Sequence, residues 1–530
     1  MKRLLLLPLI LVLLSSACSR RTEPEGAVLK LGNGSEPESL DPHLTTGVPE
    51  YRIISALMEG LIREDKQELK PIPGAAERWE VSEDGLQWRF YLREDGKWSN
   101  GDPVTAADFV FSYRRMLSSE LAAEYAYMLY VFKNGEKLNK GEVQPEELGV
   151  SAEGDFVLHI ELEKPAPYFL SMLNHHSFYP VHPGTVEAGG DPLSRENRWA
   201  RLESYVGNGP FQLSEWKLNE RISVVPNPQY WNKDALKLDA IEFYPIDDEL
   251  AEERMFRAGE LHATSTVPQE KIPRYREEGN PNYRNYPYLT TYYYLINSSR
   301  KPFDDVRVRK ALSLSIQREL ITEQVLRAGQ KPALWFTPVG AAGFSPSQQL
   351  QEDVDEAKRL LAEAGYPGGE GFPKFTLLYN TSESHRKLAQ VVQQMWKEHL
   401  GIECELQNQE WQVYMVTRRE LDFDIARAGW AGDYVDPHNF LDLHLSSSGN
   451  NHTGWSSERY DALIQEAAGT QDTDKRYALY DQAEAILLEE MPLIPVYWYT
   501  SNRLVSEKVT GWNENLLDKQ DYTQLGLEAE

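Results

Sequence analysis

The chain has 530 residues, 41% of them hydrophobic and 26% charged, a globular composition in a chain too long for one hydrophobic core. Its 55 basic and 82 acidic side chains give a formal net charge of −27, which argues against nucleic acid and anionic lipid as partners. Only two cysteines are present, Cys18 and Cys404, too few and too far apart for a cysteine-rich zinc site.

Lys2 and Arg3 precede an apolar run over 4–14, interrupted by Pro8, and then Ser15-Ser16-Ala17. That run is too short to span a bilayer as an ordinary helix and fits a cleaved export signal over 1–17. No later stretch is apolar enough to span, so the mature protein is expected to be exported and soluble. Cleavage after Ala17 would leave Cys18 first, an arrangement similar to a bacterial lipoprotein signal, and Cys18 is the candidate lipidation site. Ser15 stands where that pattern usually has leucine, and Ser15 and Ala17 also suit ordinary signal peptidase. Residues 18–27 read as a polar tether. Cys404 alternates with Ile402 and Leu406 as a buried strand position, and no disulfide is expected.

From 28 onward the elements come in order. A strand over 28–31 leads into a Gly, Ser and Pro-rich loop. A short helix is predicted over 53–62 and a pair of strands near 77–82 and 86–93, with Gly-Asp turn chemistry at their tips. Thr105 is a plausible cap for a helix over 106–117. A strand follows over 156–162. Residues 180–190 read as a linker. Strands are predicted at 211–216, 221–225 and 238–244, then a helix over 249–257. Residues 286–296 form an unusually aromatic strand, with Tyr288, Tyr292, Tyr293 and Tyr294 after Tyr286. From 304 the pattern alternates helix and strand: helices over 306–328, 354–364, 383–400, 410–419 and 473–489, and strands over 375–379, 402–407, 423–430 and 492–499. That alternation is what a parallel sheet needs.

The most informative stretch is 423–440. Phe423 and Ile425 alternate with Asp424 and Ala426, and the same alternation puts Arg427 on the apolar side. A buried arginine is costly unless it is paired or meets an anion. Gly429 and Gly432 bracket Trp430, and Asp433 follows. Glycine permits close backbone approach, tryptophan supplies a flat wall and the aspartate one fixed negative charge. These parts would suit an extended ligand with a cationic end. They would equally suit a structural ion pair between Arg427 and Asp433.

Catalytic motifs are missing. There is no Walker phosphate loop, no Gly-x-Ser-x-Gly elbow and no His-Glu-x-x-His. His438, His444 and His452 match no zinc spacing and read as ordinary polar loop histidines. Asp-Pro-His occurs at 41–43 and again at 436–438, and both copies read as turn-formers. An enzyme is the weaker reading, and no cofactor is implied.

The sequence resembles the periplasmic oligopeptide-binding proteins of bacterial peptide ABC importers, extracellular solute-binding family 5. The segments that carry the resemblance include Ser39-Leu40-Asp41-Pro42-His43, Lys97-Trp98-Ser99, Thr291-Tyr292-Tyr293-Tyr294, Asn408-Gln409-Glu410-Trp411 and Ala426-Arg427-Ala428-Gly429-Trp430. The resemblance implies an α/β, two-lobed periplasmic-binding-protein fold of class II, the three-domain peptide-binding type, with a cleft between the lobes. Domain I would comprise 28–58, 184–288 and 501–530, domain II 59–183 and domain III 289–500. Strands near 286–296 and 495–503 would cross between the lobes as the hinge.

It also implies that short peptides bind extended, like an added strand, beside the backbones of Val48 and of 428–431, which include Gly429 and Ala431. Asp433 would hold the ligand ammonium, with Tyr125 lining the same end. Trp411, Trp430 and Arg418 would wall the side-chain pockets. Arg427 and His385 would supply positive charge for the ligand carboxylate. The implied partners are the membrane permease subunits of an ABC importer. The protein would be a monomer in the periplasm, held to the membrane only if Cys18 carries lipid. A murein tripeptide is the alternative ligand on the same fold, and an exported hydrolase the alternative of another class. Three positions depart from the family: Thr290 and Ala431 replace a cysteine pair, Leu295 replaces a glutamate that can meet a basic ligand side chain, and Leu326 replaces a lysine that serves the carboxylate of intermediate-length peptides.

Overall fold

The computed structural model describes residues 26–528; the expected signal peptide, Cys18 and nearly all of the tether lie outside them. Three main sheets organise the chain. The first runs Val28–Gly32, Ala240–Tyr244, Arg221–Pro226, Phe211–Lys217, with its first two strands parallel. The second is antiparallel: Ala76–Val81, Gln87–Leu92, Val157–Glu161, Val150–Glu153. The third has six strands in the order Lys331–Pro332, Leu493–Leu504, Tyr283–Ile296, Ile425–Ala431, Phe375–Asn380, Cys404–Gln409. Its last three strands are parallel, as the helix–strand alternation requires.

The first two sheets share one core: Leu29 and Phe243 from the first belong to the same buried cluster as Phe90 and Ile160 from the second. The third sheet has separate cores on its two faces, one around Trp396 and Leu377, the other around Phe336 and Phe440. The core of the first two sheets and the pair of cores around the third form separate clusters, and that division makes two lobes. The long strands Tyr283–Ile296 and Leu493–Leu504 join them. They pair from Tyr283↔Leu504 at one end to Leu295↔Leu493 at the other, and the register slips between Pro287 and Thr291. At the first-lobe end Leu504 donates its N–H to Thr264 Oγ1 at 3.0 Å.

Several elements differ from expectation for identifiable reasons. The helix over 306–328 is broken into Val306–Leu314, Arg318–Leu320 and a wider π-turn Ile321–Leu326. The buried Arg318 guanidinium causes the break: it donates to the carbonyls of Ser313 (3.1 Å), Ile316 (3.2 Å) and Pro495 (2.7 Å), so the helix end is satisfied by a side chain. The first helix runs Val48–Leu57, earlier than 53–62, because Pro49 suits its first turn. Residues 180–190 are no free linker. They hold the helix Pro183–Ala188, capped by His182, with Val181 and Val186 fully buried.

The two Asp-Pro-His segments do form turns, since each aspartate accepts the N–H of its histidine at 3.0 Å. Each aspartate also grips a buried arginine. Arg115 donates to Asp41 at 3.1 and 2.7 Å, and Arg476 lies 3.0 Å from Asp436. His444 and His452 are buried and His438 is half-buried, so none is a surface loop residue. Burial pushes His444 down to about 3; burial with the Arg476 charge does the same for His438, and burial with Arg418 and Arg419 takes His452 to about 2. Cys404 is buried and free, and burial pushes its thiol up to about 12.

Candidate functional site

A cleft of about 420 Å³ lies between the lobes. Its first-lobe wall is the N-terminal half of helix Val48–Leu57 with Tyr125 and His175; its second-lobe wall is the end of strand Ile425–Ala431 with Trp411 and Arg418. The strand is paired along one edge with Tyr283–Ile296 as far as Thr290↔Ala431. On its other edge Phe375–Asn380 pairs only at Leu377↔Ile425 and Leu378↔Ala426. The edge of 428–431 therefore faces the cleft with no strand partner. Gly429 makes room beside it: a methyl group there would sit 3.1 Å from Arg427 Nη2. At Gly432 the chain packs tightly: a Cβ would lie 2.8 Å from Leu289 Cδ2, so that buried side chain would have to shift.

Asp433 stands just past the strand and is 9% exposed. His175 Nε2 lies 3.2 Å from its Oδ1, and the Tyr125 hydroxyl donates to the same oxygen at 3.4 Å. Asn439 donates to Oδ2 at 3.1 Å, while its own Oδ1 accepts from the Asp433 N–H at 2.8 Å and from Trp430 Nε1 at 3.2 Å. Lys519 donates to the Asp433 carbonyl at 2.8 Å. Burial alone would raise the carboxyl, but the His175 charge and the hydrogen bonds from His175 and Asn439 outweigh it and hold Asp433 below the usual aspartate value. It is an anion at neutral pH.

Arg427 points to the same side as Ile425, as alternation predicts, but it does not pair with Asp433. Nη1 donates to Asn380 Oδ1 at 3.2 Å and Nη2 to the Tyr499 hydroxyl at 2.7 Å. The guanidinium carbon sits 4.9 Å from the Tyr292 ring centre, and Nε has no partner. A half-buried cation with neutral partners and a buried free donor is a site for an anion. The structural ion pair is thus excluded.

The remaining expected residues divide. Trp411 opens the helix Trp411–Arg419, stacks on Tyr414 at 5.9 Å and lines the cleft with Arg418, whose buried Nε is unpartnered. Val48 lines the cleft as the first residue of a helix, not as a strand. His385 is half-buried, 5.6 Å from the Tyr292 ring. Burial and the Arg427 charge push it well below the ordinary histidine value, so it is neutral at pH 7 and offers a hydrogen bond, not the positive charge expected of it. Thr290 and Ala431 face each other across the strand pair, and Leu295 and Leu326 are buried.

His175, Asn439, Asn380 and Tyr499 were not singled out by sequence. Asn439 lies in the stretch 423–440 and Tyr499 in the expected crossing strand near 495–503; nothing in the sequence pointed to His175. Among the described residues no group of three or more His, Cys, Asp or Glu is placed to hold a metal ion, and no helix is long and apolar enough to cross a membrane.

Comparison with known proteins fits this geometry. The family model for bacterial extracellular solute-binding proteins, family 5 Middle, matches residues 70–452. The chain belongs to that family. It is 40% identical over 491 residues to the periplasmic oligopeptide-binding protein OppA of Salmonella typhimurium, covering 91% of this chain and 88% of the relative. To the periplasmic murein peptide-binding protein MppA of Escherichia coli it is 38% identical over 489 residues, covering 91% and 89%.

Among solved structures it superposes on the Escherichia coli murein tripeptide-binding protein with a TM-score of 0.91 at 36% identity, covering 95% of this chain and 99% of that one. On Haemophilus influenzae OppA in complex with the peptide RPPGFSPFR the score is 0.89 at 37% identity, covering 95% and 99%. The unliganded open form of the murein tripeptide-binding protein gives only 0.67 at 37% identity, covering 95% and 98%. The lobes of this family-5 protein are therefore closed on each other. Contacts across the cleft agree: Tyr168 stacks on Tyr434 at 5.7 Å, and Arg419 pairs with Glu124 at 2.6 Å.

Proposed function

We propose that this protein captures short oligopeptides outside the inner membrane and hands them to the permease of a peptide ABC importer. The observation that carries the reading is the unpaired strand edge of 428–431, set between a buried anion, Asp433, and a half-buried cation lacking a carboxylate, Arg427. A peptide added to that edge forms main-chain hydrogen bonds that ignore its side chains. Its ammonium can only donate, and Asp433 can only accept. Its carboxylate meets Arg427. Trp411, Trp430 and Arg418 wall the space for side chains, with Tyr125 beside the ammonium and Val48 opposite.

Three domains, 28–58 with 184–288 and 501–530, then 59–183, then 289–500, support lobe closure about the slipped register near Tyr288. The protein acts as a periplasmic monomer without catalysis or cofactor, and Cys18 is the residue on which lipid would anchor it. Intact masses of peptides after long incubation test the first point, and the mass of the N-terminal fragment from cell membranes tests the last.

The deciding experiment is thermal unfolding of the mature, ligand-stripped protein with trialanine and with N-acetyl-trialanine. A ligand at a hundred times its dissociation constant stabilises by roughly 2.7 kcal/mol. Stabilisation by the free form alone supports the reading. No shift with either form removes it. The similarity at a TM-score of 0.91 to a murein tripeptide-binding protein favours one second reading, and competition between a murein tripeptide and trialanine separates the two.

A further inference from the structure

The first-lobe wall of the cleft carries a charge that the peptide reading leaves unused. Val48, Tyr51, Arg52 and Ser55 all line the cleft, and their spacing puts them on one face of the helix Val48–Leu57. Among the described residues, the carboxylates lining the cleft are Asp433 and Asp518, against the cations Arg52, Arg418, Arg427, Arg503 and Lys519.

Asp518 is fully engaged. Arg503 Nε lies 3.1 and 3.2 Å from its two oxygens and Nη2 binds it as well, while Tyr286 donates at 2.6 Å and Ser501 at 3.4 Å. Arg503 spends a further donor on the Thr264 carbonyl at 2.7 Å. Lys519 is held between the Asp433 carbonyl and Glu64. Arg418 and Arg427 belong to the opposite lobe and to the ligand set already proposed.

Arg52 remains. Its Nη2 stops 3.9 Å from Asp518 Oδ2, beyond hydrogen-bond reach, and its single hydrogen bond runs 3.5 Å from Nη1 to the Asn33 carbonyl. The side chain is only 20% exposed. A guanidinium has five N–H donors, so most of those on Arg52 are unspent at the cleft wall. Burial and the Arg503 charge lower its pKa from the ordinary arginine value, and the Asp518 charge offsets that only in part. A carboxylate would relieve both deficits. Arg52 also lies one helical turn beyond Val48, so a ligand running past Val48 passes its guanidinium.

We propose that Arg52 is a specificity-determining residue that takes a carboxylate of the ligand other than the C-terminal one, so that the cleft prefers peptides with an acidic side chain over their neutral isosteres. This rests on the peptide-binding reading.

The test is calorimetric titration of the ligand-stripped protein with trialanine, with Glu-Ala-Ala, Ala-Glu-Ala and Ala-Ala-Glu, and with the three glutamine counterparts. At one position the glutamate peptide should bind roughly tenfold tighter or more than its glutamine counterpart. Arg52→Gln should bring that ratio close to one, and Arg52→Lys should keep part of it. A ratio near one at every position in the unsubstituted protein overturns the proposal without needing any variant. An unchanged ratio in Arg52→Gln overturns it as well. Trialanine distinguishes the two levels: if it binds, only the acidic preference has failed, and if no peptide binds, the peptide reading has fallen with it.

Discussion

The two ends of the cleft are built differently. Around Asp433 most partners come from distant parts of the chain: Tyr125 and His175 from the first lobe and Lys519 from the C-terminal segment, with only Asn439 local, six residues on. Around Arg427 they all belong to the second lobe: Asn380, Tyr499, Tyr292 and Tyr414. The cationic end is therefore assembled whether the lobes are open or closed. The anionic end is complete only when they meet. A ligand ammonium held there interacts differently with the open and closed states, which is the condition for a ligand to drive closure.

The strongest way to break this contrast is Asp433→Ala. It should cost roughly 2–5 kcal/mol of affinity for a free-amine peptide, because it strands a desolvated ammonium. Small-angle scattering should show the variant failing to close with peptide. Unchanged affinity would remove Asp433 from the ammonium role.

Next comes Arg427→Met, expected to cost about 1.5–3 kcal/mol, the worth of hydrogen bonds to a charged group. This loss should appear equally in closed and open states and vanish for trialanine amide. A variant that also blocks closure would show the two ends to be alike.

The pH dependence sharpens the contrast further. A peptide amine titrates near 8, so affinity should fall about tenfold per unit above that value, and N-acetylated peptide should show no such slope. On the acid side the sign follows from the depressed Asp433 carboxyl. The stability it contributes is complete above the ordinary aspartate value of about 3.9 and is lost as pH falls through its lower folded value. Asp433→Asn should flatten that acid limb, as read by melting temperature from pH 5 downward.

Smaller effects belong to the partners that span the lobes. Tyr125→Phe removes a long 3.4 Å bond and should cost about 0.5–1 kcal/mol of peptide affinity. Arg419→Ala breaks an ion pair at the cleft rim whose arginine is 43% exposed. It should change affinity by less than about 1 kcal/mol, and the change should shrink in high salt. A large effect there would mean that closure depends on the rim more than on the ammonium site.

Much of the fold is legible where local signals agree. The helices 249–257 and 383–400 match Glu249–Arg257 and Glu383–Leu400 end to end, because apolar periodicity and a terminating glycine point the same way. Gly401 does adopt the left-handed cap conformation, at φ 71°. The helix over 306–328 failed because Arg318 reaches back to carbonyls that a periodic pattern cannot reveal. The late histidines and residues 180–190 failed for a related reason: polar stretches read as surface, yet His444 and His452 are buried and residues 180–190 pack Val181 and Val186 into the core.

The candidate site divides in the same manner. Arg427, Gly429 and Trp430 on one strand, with Asp433 just past its end, stood out as an unusual arrangement. The sequence by itself determined that strand, the placement of its charges and the absence of catalytic motifs, because all three are local properties of residue type and spacing. Whether Arg427 and Asp433 pair with each other was decided only by the tertiary structure. Phe375–Asn380 stops pairing at Ala426 and leaves an open edge, and His175 and Tyr499 arrive from remote segments to satisfy each charge separately. A buried charge is defined by what surrounds it, and those surroundings come from parts of the chain that only folding brings together.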